Sequence, residues 1–311
     1  MKPVVVFSLF FVSTCVAVPP TLSFLQAILS GEEKQVEDKL RENGQGYLAA
    51  RDEDRNTPLH IAVLSDKGGG EKGGGTRERI IDMLLREGAD PNATNRYLST
   101  PLHLAVAANN REGVERLMRD PGTDVNALNT VDMTPLAYAI RVRSLPILKL
   151  LLKACNIDPN RENGEGLTPL HLAAKWGYDE AVEILLAHPR IRPEPKQSSG
   201  DFIGATPLHY ATMQGQSTIA KRLVKDAQYD PKRAIVGGSY EGFTPLHCAV
   251  MNPDTPTVFA CVKLLIEAGA DPSAQTKGGK KPADLTNVRV IRSFLADPDP
   301  KYVLRRRAHP R

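Results

Sequence analysis

A chain of 311 residues with 41% apolar and 24% charged residues is too apolar for wholesale disorder, and it suits one or two globular domains or a single elongated array. Aromatics at 5% with one Trp fit thin helical layers of Leu, Ala and Val better than one large core. The net charge of +4 is concentrated at one end: Lys280 to Arg311 holds nine Lys or Arg against three Asp or Glu, a balance of +6 that leaves −2 for the rest. The body therefore gives no reason to expect a specific nucleic-acid partner.

At the N-terminus, Met1 and Lys2 precede an apolar run from Val4 to Val18, with Cys15 and Ala17 placed for cleavage after Ala17. This predicts a secretory signal peptide over residues 1–17. The run is interrupted by Ser8, Ser13 and Thr14 and closed by Pro19 and Pro20, and it falls short of the about 20 residues a bilayer span needs. No membrane span is expected. Loss of Cys15 leaves Cys155, Cys248 and Cys261, an odd set without disulfide-framework spacing, and the latter two are read as small buried hydrophobes.

Residues 20–56 contain two short amphipathic helical patterns between Thr21 and Leu40. From residue 57 a tetrapeptide recurs: Thr57-Pro58-Leu59-His60, Thr100-Pro101-Leu102-His103, Thr168-Pro169-Leu170-His171, Thr206-Pro207-Leu208-His209 and Thr244-Pro245-Leu246-His247. Thr134-Pro135-Leu136-Ala137 is a variant, and a decayed copy starts at Lys281-Pro282-Ala283. The intervals are 43, 34, 34, 38, 38 and 37 residues, a period near 33 with insertions. Thr is a helix N-cap and Pro fills the first helical position, where its missing N–H costs nothing. A short helix follows, as over Leu102 to Ala107, then a turn and a second helix, as over Ala181 to Leu186. Gly88 and Gly269 are expected to end second helices in the left-handed conformation. Neither helix buries its apolar stripe alone, so the units must stack.

These residues identify a resemblance to ankyrin-repeat proteins over about Pro20 to Arg292. The resemblance implies an all-α fold, a solenoid of stacked helix pairs with projecting β-hairpin fingers. It divides the chain into an N-terminal cap over 20–56, six repeats over 57–280, a C-terminal cap over 281–300 and a basic tail over 301–311. Insertions map to loops: Ser65 to Thr76 between the helices of the first repeat, Pro189 to Gly200 and Pro231 to Gly238 in two neighbouring fingers, and Asn252 to Thr257 in a helix–helix turn. The tail, with Arg305, Arg306, Arg307 and Arg311, fits a solvated end, an import or docking signal, or loose phosphate or lipid contact.

Five histidines lie in the tetrapeptide. They recur once per repeat and do not converge, so they are read as structural and no metal or other cofactor is expected. No Gly-x-Ser-x-Gly elbow, phosphate-cradling loop or His-Glu-x-x-His helix occurs, so no enzyme activity is expected.

Ankyrin proteins bind through finger tips and the exposed inner face of the first helix. Carried onto this sequence, that implies a partner surface of Arg141, Lys175, Trp176, Met213 and Gln214, with Arg96, Tyr97, Phe202 and Tyr240 on fingers. Exposed Trp, Tyr and Arg are the residues binding hot spots favour. Asn92-Ala93-Thr94 is a glycosylation acceptor triplet. An all-ankyrin chain with a signal peptide also resembles the secreted ankyrin effectors of eukaryotic intracellular pathogens. That likeness implies a monomeric module that is secreted, reaches host cytoplasm or nucleus, and binds a host kinase, ubiquitin-ligase subunit or transcription regulator. The alternative is an extracellular or secretory-pathway scaffold.

Overall fold

The computed structural model describes residues 20–64, 75–192, 194–225, 229–252 and 255–296. The predicted signal peptide, the tail over 301–311 and the Gly-rich stretch as far as Gly74 lie outside them.

The described residues form eight helix pairs. The first is α1 (Pro20–Ser30) with α2 (Glu33–Leu48), at the position expected for the N-terminal cap. Six repeats follow: α3 (Pro58–Leu64) with α4 (Thr76–Arg86), α5 (Pro101–Ala107) with α6 (Arg111–Leu117), α7 (Pro135–Arg141) with α8 (Leu145–Leu151), α9 (Pro169–Lys175) with α10 (Asp179–Leu186), α11 (Pro207–Met213) with α12 (Ser217–Lys225), and α13 (Pro245–Val250) with α14 (Thr255–Glu267). α15 (Pro282–Leu285) and α16 (Arg289–Ala296) close the C-terminal end. First helices pack on first helices from α1 to α15, and second helices on second helices from α2 to α14.

The motif leucines Leu59, Leu102, Leu136, Leu170, Leu208 and Leu246 are wholly buried, each contributing about 1.5–3 kcal/mol of apolar burial. Second helices add Ile80, Leu84, Leu117, Leu148, Leu185, Leu223 and Leu265 to one continuous core. Cys248 and Cys261 belong to it, and burial pushes their thiols up to about 12 and about 11.

The threonine and histidine of the motif act together. In α9, the Thr168 N–H donates to His171 Nδ1 at 3.2 Å and the Thr168 hydroxyl lies 2.9 Å from the same nitrogen. An Nδ1 that accepts leaves the ring hydrogen on Nε2, which donates to the Ala205 carbonyl of the next repeat at 3.0 Å. The same bridge runs from His60 to the Ser99 carbonyl at 2.8 Å, from His103 to Met133 at 2.9 Å and from His247 to Lys280 at 3.1 Å. His209 makes the Thr206 contact at 3.0 Å, and its buried Nε2 faces the Phe243 backbone without a hydrogen bond of ordinary geometry among the described residues. Ala137 supplies no ring, so the junction after α7 lacks the bridge.

The finger side carries a second ladder. Asn92, Asn126 and Asn160, spaced by 34 residues, each bond the next repeat twice. Asn92 Nδ2 donates to the Gly122 carbonyl at 2.7 Å and its Oδ1 accepts the Asp124 N–H at 2.7 Å. Asn126 does the same to Asn156 and Asp158, and Asn160 to Arg190 and Arg192. Between second helices, Arg79–Glu33, Arg116–Asp82 and Arg222–Asp179 pair at 2.8, 2.6 and 3.3 Å.

The fingers correct one expectation. No β-strand forms among the described residues, so they are turns and not β-hairpins. Each tip is closed locally, as where Asn95 Oδ1 accepts the N–H groups of Tyr97 and Ser99. Single backbone bonds such as Thr130 N–H to the Tyr97 carbonyl at 2.9 Å join neighbouring fingers. Side-chain closure of this kind takes up the backbone groups that a ladder of strand pairs would need.

Every tip has a left-handed residue at one shared position, and the two lengthened fingers carry a second at Gly200 and Gly238. Gly166, Gly204, Gly242 and Gly279 hold the position in the later fingers, whereas Arg55, Leu98 and Asp132 hold it at φ 62, 52 and 52 in the earlier ones.

Burial holds His60 and His171 at about 4, far below the ordinary 6.5. The unfolded chain then binds the extra protons, so the stabilisation is complete above about 6.5 and is lost as pH falls toward about 4, at about 1.4 kcal/mol per pH unit for each such ring. Thermal melts across this window are expected to show His171→Gln less stable than the parent at neutral pH but with a shallower decline on acidification.

A second pair of variants separates backbone strain from crowding. Gly88 has φ +90 with nothing within 4 Å of a Cβ, whereas a Cβ on Gly166 at φ +73 would lie 2.6 Å from the Ser199 nitrogen. Gly88→Ala is expected to cost about 1 kcal/mol from the dihedral alone, and Gly166→Ala clearly more in the same denaturant titration.

Candidate interaction surface

The last residue or turn of each first helix presents one column of side chains across the stack: Leu64, Ala107, Arg141, Lys175, Met213 and Met251. Arg141 and Met251 are exposed, and Lys175 and Met213 are half-buried. The neighbouring column runs Ala108, Val142, Trp176, Gln214 and Asn252, with Val142 and Gln214 exposed. The first column passes from Ala107 through the cations Arg141 and Lys175 to Met213 and Met251, and the second from Ala108 through the apolar Val142 and Trp176 to the amides Gln214 and Asn252, so the centre is chemically distinct from either end.

Trp176 caps the C-terminus of α9. It is half-buried against the core, and its carbonyl accepts a 2.6 Å bond from Arg143 Nη2. The ring thus both packs and offers an edge to solvent.

Cations on this face are held over rings. The Arg141 guanidinium lies 4.9 Å from the Tyr138 ring centre, Arg143 5.0 Å from Tyr178, and Lys175 Nζ 5.7 Å from Tyr210. Lys175 also pairs with Glu165 on the adjoining finger at 3.2 Å. Burial pushes the Tyr210 phenol well above its usual value, so it stays a neutral ring and its hydroxyl donates to Gln197 Oε1 at 2.6 Å.

The finger residues divide into two groups. Arg96 lies over the Tyr97 ring and pairs with Asp54 of the preceding finger at 3.0 Å, a pairing that raises its already high pKa. Tyr97 and Leu98 are each 51% exposed, and Val131 on the next tip is 56% exposed. Phe202 and Tyr240, by contrast, are half-buried and stacked on each other, with ring centres 4.2 Å apart and planes 10° apart. Tyr210 and Phe243 extend this ladder. Those two residues join neighbouring fingers, and Ile203 and Val236 beside them are the exposed apolar groups. Asn92 is half-buried with both amide atoms engaged in the asparagine ladder.

The motif histidines stay one per repeat, and no cluster of three or more His, Cys, Asp or Glu gathers among the described residues. No described helix is long and apolar enough to cross a membrane.

Residues 71–163, 102–197 and 193–276 match the family model described as ankyrin repeats. The chain belongs to the ankyrin-repeat family. Its fold is similar to the crystal structure of the human ASB11 ankyrin repeat domain, with 23% identity, a TM-score of 0.59, and coverage of 78% of this chain and 97% of that one. It is also similar to the ankyrin repeat domain of Bcl-3, described as a unique member of the IkappaB protein family, with 21% identity, a TM-score of 0.53, and coverage of 90% and 98%. No curated protein matches the chain.

Sequence reasoning missed Arg143, Tyr138 and Tyr178, and the exposed Leu98, Val131, Ile203 and Val236. Two signals were present. Tyr138 and Arg141 stand three apart on one helix, the spacing at which side chains meet. Arg143 occupies the register held elsewhere by Asn109, Gly177 and Gly215, all in the left-handed conformation.

The stacked pair gives a direct check on the fingers. A double-mutant cycle of Phe202→Ala and Tyr240→Ala, read by thermal or denaturant unfolding, is expected to return a coupling of about 0.5–1.5 kcal/mol. A coupling near zero would mean that the two rings act independently.

Proposed function

We propose that this ankyrin array is exported and acts as an effector, binding a host signalling or immune protein and inhibiting or redirecting it. Ankyrin repeats are protein–protein interaction modules. The observation that carries a binding role here is the band of Arg141, Lys175, Trp176 and Met213, cationic, aromatic and thioether side chains fixed on a rigid stack. Rigid presentation lowers the ordering cost of association. The support for export is the N-terminal sequence, with Lys2, the apolar run and Ala17 in the order of a secretory signal.

In this reading the partner is a kinase, a ubiquitin-ligase subunit or a transcription regulator of the host, met in its cytoplasm or nucleus after delivery. The array itself works as a monomer that occupies a surface, without chemistry of its own. The Asn92-Ala93-Thr94 triplet favours the alternative of a secretory-pathway scaffold. A glycan on Asn92 Nδ2 competes with the bond to the Gly122 carbonyl, so modification of the folded chain requires opening the ladder there.

The test expresses the chain without residues 1–17 inside a eukaryotic host cell, beside the full chain sent through the secretory pathway. The effector reading predicts capture of a specific intracellular regulator that Trp176→Ala weakens by about tenfold, a loss of about 1.4 kcal/mol, with only a small drop in melting temperature from the lost packing of the half-buried ring. Absence of any intracellular partner, together with an endoglycosidase-sensitive mass on Asn92, would establish the scaffold instead.

A further inference from the structure

We infer that the face of the third and fourth repeats recognises an acidic segment of a partner protein, seating its carboxylates on Arg141 and Arg143 and an apolar side chain against Trp176. The inference rests on the protein-binding reading and names the chemistry of the partner.

Arg141 and Arg143 are both exposed, and neither forms an ion pair with a carboxylate among the described residues. The neighbouring cations differ: Lys175 is held by Glu165 and Arg96 by Asp54. Asp132 stands beside Met133, whose sulfur lies 3.8 Å from Arg141 Nη1, yet it makes no ion pair with that guanidinium. Two guanidinium groups therefore face solvent with uncompensated charge.

They are also immobilised. Tyr138 lies under one and Tyr178 under the other, and Arg143 is fixed further by its bond to the Trp176 carbonyl. A free arginine loses about 0.5–1.5 kcal/mol of side-chain freedom on being ordered at an interface. Here the rings have ordered both before any partner arrives. Guanidinium presents planar paired donors that match a carboxylate, and a ring on one side leaves those edges free to bond.

The backbone of Arg143 points the same way. It is left-handed at φ 56, where the next two repeats use Gly177 and Gly215. Asn109 holds the same conformation one repeat earlier at φ 52, so this register accepts a side chain, and in the third repeat it carries a guanidinium to the surface.

Trp176 and Val142 flank the pair and supply the apolar contact. The favoured ligand therefore alternates acidic and large apolar residues. A polyanion such as nucleic acid would use the charge but has no place for the apolar contact.

The experiment selects binders from a random peptide library on the full chain and repeats the selection on Arg141→Gln and on Arg141→Gln/Arg143→Gln, with melting temperatures measured for each. The expected result is strong Asp and Glu enrichment on the parent that falls with the first substitution and disappears with both. A selected acidic peptide should bind the double variant at least about tenfold more weakly, with the loss screened by salt. Recovery of neutral or basic sequences, or acidic enrichment that survives in the double variant, would overturn the inference and leave the protein-binding reading standing. Recovery of no sequence at all would count against that reading too. Displacement of the peptide by a single-stranded oligonucleotide at equal charge would also overturn it, because the face would then be a general polyanion surface.

Discussion

A neutral imidazole buried between two repeats sets the register of the stack. Its Nδ1 is occupied by the threonine that starts its own helix, which leaves Nε2–H aimed at a carbonyl of the next unit. The bond satisfies a buried donor and a buried acceptor, and losing either partner leaves the other without water or protein. Because the histidine is tied to a helix start and the carbonyl to a finger base, one bond fixes both the helix spacing and the finger position. The asparagine ladder repeats this arrangement at the other side of the finger, where Asn92, Asn126 and Asn160 each use an amide donor and an amide acceptor. Core leucines supply the larger apolar term, but apolar burial is non-directional and would tolerate a slip that these bonds do not.

A stack built on nearest-neighbour bonds leaves its outward residues free to vary. The same register position is alanine at 107, arginine at 141, lysine at 175 and methionine at 213, each the last residue of a seven-residue helix, and methionine again at 251, just past the end of α13. Recognition can therefore be written on the surface without rewriting the core. The fingers show how far this freedom extends. Two lengthened ones use Phe202 and Tyr240 to stack on each other, so added loop length has been fixed by new contacts, and the exposed apolar groups have moved to Ile203 and Val236.

The helix pairs were legible in the sequence because Thr-Pro-Leu-His states its own mechanism: a cap, a first-turn proline, a core leucine and a bridging ring. The N-terminal pair shows in the sequence as two amphipathic patterns, and the C-terminal pair as a decayed copy of the motif at Lys281-Pro282-Ala283. The fingers were less legible. Their turns are closed by Asn95, Asn129 and Asn163 through side-chain acceptors, a local alternative to strand pairing that family resemblance does not distinguish from a hairpin. At the candidate surface, the motif register places Arg141, Lys175 and Trp176 at the ends of their first helices, and it is the ankyrin resemblance that marks those positions as a surface for partners. Their contacts within the chain could not be placed this way. Whether Phe202 faces solvent or another ring depends on how two loops with different insertions meet, which no single repeat specifies.

The junction after α7 brings these strands together. Ala137 removes the buried histidine bridge there, and nothing else in the motif replaces it. Across the same junction, however, Arg143 reaches forward to the Trp176 carbonyl at 2.6 Å, and the Tyr178 hydroxyl reaches back to the Arg143 carbonyl at 3.0 Å. The inter-repeat contact has moved from the core to the surface. A buried imidazole holds its neighbour out of reach of any ligand, whereas an exposed arginine holding the same neighbour keeps donors free for one. This junction is therefore the place in the array where a partner's carboxylate would bear directly on how two repeats are held together. Occupying Arg143 would compete with or reinforce its bond to Trp176, and binding and local stacking would be coupled there through a single side chain.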